Sequence, residues 1–311
     1  MKNRKDVTSM GFLYLLEKIR MPGLNELMLL ITRLGEETAF LVIALIVFWC
    51  VDKKKGYYVM AVGFLGTMIN QVLKLSFRVP RPWVLDPDFT ILEQAREAAT
   101  GYSFPSGHTT SAVGTFGCLA VVAEKKWWRN VCIAIAVLVG LSRMYVGVHT
   151  PADVLVGAAT SLVLIWLLRK PTLEGGIREM KGVIAVMVAV SVLFLLYVSF
   201  WNFPADMDPH NMESGVKNAY TMIGALVGIA VVYLVDVKYL NFTVKGVWWV
   251  QIIKIAVGLG LVLAVKEGLR APLELILPVY PARAVRYFLI VVMAGSVWPM
   301  SFGRLSKLGS K

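Results

Sequence analysis

Long apolar runs alternate with short polar connections along almost the whole chain. A helix needs roughly 20 apolar residues to cross a hydrocarbon core of about 30 Å. On that length the pattern predicts spans near 36–51, 57–77, 109–123, 127–146, 151–168, 182–201, 220–237, 247–265 and 285–302. The expected fold class is all-α, a polytopic transmembrane helix bundle of about nine spans. Residues 1–21 place charges on both sides of a brief Gly11–Leu16 apolar run, too short for a secretory h-region. That start predicts an interfacial amphipathic segment over 1–35. A transmembrane core over 36–202 and a three-span extension over 203–311 complete the expected organisation, with one further polar break at Lys170–Lys181.

Composition sharpens this picture. The 311 residues are 57% hydrophobic and 17% charged, against about 45–50% and about 25% in soluble globular chains. Disorder and collagen-like structure are excluded, and a water-soluble enzyme is disfavoured. Cys50, Cys118 and Cys132 all lie inside apolar runs, so no disulfide framework is expected.

A net charge of +12 raises the question of nucleic acid. The cations form no basic face with interleaved aromatics, and no nucleic-acid partner is expected. They cluster at span ends instead, at Lys53–Lys55, at Lys125, Lys126 and Arg129, and at Arg169, Lys170, Arg178 and Lys181. These fall on alternate connections, which by the positive-inside rule are cytoplasmic. The 78–108 loop, the Val146–Thr150 turn and the acidic 203–219 loop then face the other side, and the expected location is the plasma membrane.

Three short blocks on that outer side carry the chemistry. Lys74 is followed by Arg81-Pro82, then comes Pro105-Ser106-Gly107-His108, then Ser142-Arg143, His149 and Asp153. Lys74, Arg81 and Arg143 bring fixed positive charge, and a guanidinium fork matches phosphate oxygens. Ser106 and Gly107 open a helix, where backbone N–H groups face an anion. His149 with Asp153 reads as a nucleophile with its orienting carboxylate, and His108 as the proton donor to the leaving oxygen. Taken singly, Thr150–Asp153 also reads as a helix-start box, Ser106 as a simple N-cap, and Lys74 and Arg81 as snorkelling cations. Eleven such positions in fixed order do not arise from capping and topology.

The pattern K-x6-RP, PSGH, SR-x5-H-x3-D resembles the type 2 phosphatidic acid phosphatase superfamily over roughly residues 60–165. This resemblance implies a six-helix phosphatase-type core, His149 as nucleophile, Asp153 as its partner and His108 as general acid. It implies that Lys74, Arg81, Ser106, Gly107 and Arg143 hold the phosphoryl oxygens, and that no cofactor or divalent metal is needed. Nine spans with three after residue 219 make the layout similar to glucose-6-phosphatase.

The expected substrate is a lipid phosphate or diphosphate of isoprenoid or glycerolipid type, reached from the bilayer at the outer leaflet. A soluble sugar phosphate is the competing substrate class. A vanadate-dependent haloperoxidase is set against by the spans, and a transporter by the placing of the charges at span ends. Asp88 to Ala99 reads as a short helix with Phe89, Leu92 and Ala95 on one face, either a lid or a connector. Trp83 either stacks on substrate or anchors the interface. Asp206, Asp208, His210 and Glu213 read as a solvated loop before a metal site, and no metal site is expected there. Gly224 and Gly228 form a small-xxx-small pair for packing within the chain or in a homodimer.

Overall fold

The computed structural model describes residues 4–308 apart from 98, 100 and 206, with side chains from residue 10 onward. Asp206 of the acidic loop thus lies outside the described residues. Among those described there is no strand. The helices in order are α1 (Arg4–Lys18), α2 (Pro22–Arg33), α3 (Glu37–Ile46), α4 (Lys53–Phe77), α5 (Pro82–Leu85), α6 (Gly107–Val122) and α7 (Lys126–Tyr145). They continue with α8 (Pro151–Arg169), α9 (Ile177–Phe200), α10 (Pro209–Val235), α11 (Trp248–Gly268), α12 (Arg270–Ile276), α13 (Val279–Val292) and α14 (Phe302–Leu305).

All nine predicted spans fall on helices, but they are not equally able to cross a bilayer. Among the described residues, seven helical segments are long and apolar enough by themselves. An eighth exists only if Pro22–Arg33 and Glu37–Val51, bent by 54°, count as one. The ninth, α6, has 16 residues, about 24 Å at 1.5 Å per residue, and is shorter than a full crossing. The expected helix over Asp88–Ala99 does not form. That stretch has a turn and a single three-residue helical turn, Glu93–Ala95. Phe89 and Ala95 are buried in different apolar clusters, so they do not share one helical face.

The chain packs as two compact units, each drawn from non-consecutive segments. The first comprises residues 1–41, 65–167 and 208–211. Here α1 and α2 bury apolar side chains against the end of α7 and the 86–99 loop. Met10 and Leu13 meet Phe89, Met144 and Val154, while Leu24, Met28 and Leu29 line the cluster of Tyr145, Val146 and Val148. Polar ties reinforce this. Arg20 donates from Nε to Tyr145 O at 3.0 Å and from Nη1 to Thr90 O at 2.9 Å. Tyr145 Oη donates to Asn25 Oδ1 at 2.7 Å. Leu15 of α1, Ile19 after it and Leu27 and Leu30 of α2 are exposed, so apolar side chains also lie outside these clusters.

The second unit comprises residues 42–64, 168–207 and 212–311. Lys53 pairs with Asp236 at 2.7 Å. Lys254 is fully buried and donates to the carbonyls of Val244 and Lys245 at 3.1 and 2.9 Å, with its ammonium over the Phe302 ring. Gly224 and Gly228 are used within the chain. A Cβ on Gly224 would lie 2.0 Å from Ala284 O, so α10 and α13 meet backbone to backbone there.

Candidate active site

The site lies in the first unit, where three backbone features deliver its residues. The last turn of α4 carries Lys74. Arg81 is the extended residue ahead of α5, with Pro82 at the first helical position. α7 ends at Tyr145 and its cap Val146 is followed by Gly147, whose φ of +89° suits glycine. Val148 N turns back to Arg143 O at 3.2 Å. A Cβ at Gly147 would also meet Arg20 Nη2 at 2.9 Å. The chain therefore leaves α7 sharply and sets His149 just ahead of α8.

α8 begins with a helix-start box. Thr150 N donates to Asp153 Oδ2 at 2.8 Å, and Asp153 N donates to Thr150 Oγ1 at 3.4 Å. The same Oδ2 accepts from Ser103 Oγ at 2.6 Å and lies 3.4 Å from His149 Nδ1. One carboxylate oxygen thus both closes the helix start and lies beside the imidazole.

The other imidazole nitrogen identifies the tautomer. Arg81 Nη1 lies 3.0 Å from His149 Nε2 and also donates to Val148 O at 2.9 Å. A guanidinium has no acceptor, so Nε2 is the unprotonated nitrogen and Nδ1 carries the proton. That Nδ1–H lies between Asp153 Oδ2 and Ser103 Oγ, the latter at 3.5 Å. His149 is 2% exposed. Burial, then the positive charges of Arg81, Arg143 and Lys74, push its pKa well below the ordinary histidine value. The ring is neutral at neutral pH, with a lone pair on Nε2.

Around it, the cations are held but not saturated. Lys74 Nζ donates to Tyr102 O, and Arg81 Nε to Gly101 O at 2.9 Å. Arg143 is completely buried. It donates from Nη1 to Thr32 Oγ1 at 2.8 Å, while Nε and Nη2 have no hydrogen-bond partner among the described residues. His108 Nε2 is likewise sealed without a partner. Donors this deeply placed are costly to leave unmade, and the three cations are opposed by the charge of Asp153 at Lys74 and Arg81 and of Glu36 at Arg143. The arrangement suits an oxyanion.

Ser106 caps α6: its Oγ accepts from Thr109 N at 3.4 Å and Thr109 Oγ1 at 2.9 Å. Its own N–H donates to Asp153 O at 3.0 Å, joining the starts of α6 and α8. Gly107 is open: an added Cβ would have only Asn70 Oδ1 within 4 Å, at 3.6 Å. Trp83 stacks on protein cations, with Arg81 and Arg96 guanidinium carbons 5.8 and 5.2 Å from its ring centroid.

Four contributors were not singled out from sequence. Ser103 holds Asp153, and Thr32 on α2 holds Arg143. Asn70 Nδ2 donates to Pro105 O at 3.2 Å. Gly157 lets α8 approach the Ser106 loop, since a Cβ there would lie 2.8 Å from Ser106 O. Asn70 left a signal, as a polar residue four positions before Lys74 on the same helical face. Thr32 and Gly157 left none.

The PAP2 superfamily model matches residues 54–172, and that of the PAP2 superfamily phosphatase transmembrane extension matches residues 220–311. Phosphatidylglycerophosphatase B of Bacillus subtilis is 32% identical over 166 residues, which cover 49% of this chain and 76% of that protein. Undecaprenyl-diphosphatase BcrC of the same organism is 32% identical over 37% of this chain and 57% of its own length. The crystal structure of a transmembrane PAP2-type phosphatidylglycerolphosphate phosphatase from Bacillus subtilis aligns with a TM-score of 0.46 at 29% identity. It covers 54% of this chain and 86% of that one.

Proposed function

This chain belongs to the PAP2 superfamily, and on that premise we propose that it is an integral-membrane phosphatase that hydrolyses a lipid phosphate or diphosphate at the outer leaflet through a phosphohistidine intermediate. The observation that carries this reading is the state of His149: neutral, protonated on Nδ1 beside Asp153, with Nε2 presented to Arg81. On substrate arrival the phosphoryl oxygens take the donors of Arg81, Arg143 and Lys74, with Ser106 and the Gly107 N–H completing the cradle. Arg81 then releases the Nε2 lone pair.

The lone pair attacks phosphorus and forms the N–P bond. The P–O bond to the leaving group breaks, and its electron pair stays on the leaving oxygen, which takes a proton from His108. Burial, Arg143, Arg81 and Lys74 disfavour the charged His108 ring. The negative charge of the bound phosphate offsets them, so that His108 takes up the proton it donates as substrate binds. Asp153 stabilises the positive ring without accepting its proton. In the second step His108 takes a proton from water, the hydroxide attacks phosphorus, and the N–P bond electrons return to Nε2. Inorganic phosphate leaves.

Similarity to a phosphatidylglycerophosphatase and an undecaprenyl-diphosphatase supports a lipid substrate. The basic connections at Lys53–Lys55, Lys125–Arg129 and Arg169–Lys181 support an extracytoplasmic site in the plasma membrane. The three-segment organisation, with 203–311 as an extension to the core, is supported by the separate family match over 220–311.

The test is phosphate release by detergent-purified protein in EDTA from a panel of isoprenoid, glycerolipid and sugar phosphates, with His149→Ala as the blank. Release from lipid substrates that the variant lacks is expected. Release confined to sugar phosphates would overturn the substrate class, and release undiminished in His149→Ala would overturn the mechanism.

A further inference from the structure

A buried arginine with donors left over occurs at a second place in the molecule. Among the described residues, three arginines have a sealed guanidinium nitrogen without a partner: Arg20, Arg143 and Arg286. Arg20 spends its other nitrogens on Tyr145 O and Thr90 O. Arg143 belongs to the site above. Arg286, on α13 in the second unit, is 7% exposed. Its Nε has no partner, and among the described residues no carboxylate lies within ion-pair distance of its guanidinium.

Arg283 stands one turn earlier on the same helix. Its Nε donates to Thr221 Oγ1 of α10 at 2.6 Å, which fixes the direction of its fork. Both guanidinium groups lie against the Tyr287 ring, at 5.3 and 5.8 Å from its centroid. On α10, Lys217 is neutralised by Glu213 at 2.7 Å, so that carboxylate is already paired. Among the described residues neither arginine has an ion-pair partner, and both positive charges lie beside the one Tyr287 ring.

Such a charge inside a membrane-crossing helix marks a binding site by default, because desolvated cations without counter-ions are costly. Depth narrows the ligand. Arg283 and Arg286 lie four and seven residues into the segment Val279–Leu305, roughly 6 and 10 Å along the axis. A headgroup layer is about 5–8 Å thick on each side, so Arg283 falls within that distance of the segment's start and Arg286 reaches back to it along its side chain.

We propose that Arg283 and Arg286 form a second phosphate-binding site, separate from the His149 site, that seats the phosphate of an anionic lipid headgroup. The paired forks match a phosphate diester. Gly224, by admitting the α13 backbone against α10, brings Arg283 within reach of Thr221. The site gives residues 203–311 a ligand of their own. Free inorganic phosphate presents the same oxygens and is the other source of the ligand.

The experiment is native mass spectrometry of the full chain in detergent, in a His149→Ala background, with phosphatidylglycerol, phosphatidylcholine and inorganic phosphate as probes. Arg283→Gln with Arg286→Gln is expected to weaken phosphatidylglycerol binding about tenfold, the scale of one lost charge-assisted hydrogen bond, and to leave phosphatidylcholine unchanged. Loss confined to inorganic phosphate would keep the site and change its source. Equal binding of both anions by variant and parent would overturn the proposal. If the double variant is not monodisperse, Arg283→Gln alone decides, since Arg283 is only half-buried and its loss leaves Arg286 in place. Phosphatidylglycerol is a diester, so the outcome is independent of the hydrolysis proposed for the His149 site.

Discussion

Ser103 Oγ donates to Asp153 Oδ2 at 2.6 Å, a shorter contact than the 3.4 Å between that oxygen and His149 Nδ1. The carboxylate is thus pinned from the segment just before Pro105 as well as from its own helix. Ser103→Ala should free one acceptor position and let the carboxylate drift from the ring. Turnover is expected to fall about tenfold with little change in KM, because the contact acts on the imidazolium formed in the transition state. Ser103→Thr should restore most of it. Steady-state kinetics on the preferred lipid phosphate separate the two parameters, and a rise in KM alone would contradict this role.

His149 should remain neutral well below pH 6.5. Its pKa is depressed by burial and by Arg81, Arg143 and Lys74, whereas an unfolded histidine titrates near 6.5. Below that pH the unfolded chain binds a proton that the folded ring refuses, so stability falls as the solution is acidified. Nitrogen-15 histidine spectra between pH 7.5 and 5.5, with His149→Gln to assign the signal, should show a neutral ring protonated on Nδ1. A ring half-protonated at pH 6.5 would show that the cations do not act on it.

Thr32→Val should expose the dependence of the site on α2. It removes the hydroxyl that holds Arg143 Nη1 and keeps the side-chain volume. Inhibition by inorganic phosphate or vanadate is expected to weaken about tenfold, the scale for a charge-assisted bond left unmade. Unchanged inhibition, with an unchanged melting temperature, would remove Thr32 from the site.

Gly157→Ala should be harmful although the residue touches no substrate group. Its Cβ would sit 2.8 Å from Ser106 O and 3.0 Å from Thr110 Oγ1. Overpacking of this kind costs about 1–3 kcal/mol and would shift the Ser106 cradle. Gly182→Ala is the control, since a Cβ there meets nothing within 4 Å. Thermal unfolding and activity should separate the two variants clearly.

The sequence by itself determined the helical class and where the long apolar segments fall, and it proposed the residue types of the site. Twenty-residue apolar runs admit only helices in a bilayer, and Lys74, Arg81, His108, Arg143, His149 and Asp153 carry chemistry that no packing role would require at those spacings. Only the tertiary structure decided how these residues are held. Ser103 and Thr32 act through hydrogen bonds of 2.6 and 2.8 Å to residues 50 and 111 positions away, and Gly157 leaves room for Ser106 O, 51 positions away, where a Cβ would come within 2.8 Å; no local pattern encodes such contacts. The tertiary structure also replaced the expected helix over Asp88–Ala99 with a loop. Leu92 N pairs with Val146 O at 3.1 Å across the end of α7, a partner invisible to helical periodicity. It assigned Gly224 to α13 within the same chain for the same reason: small residues announce a close approach, but only packing chooses what approaches.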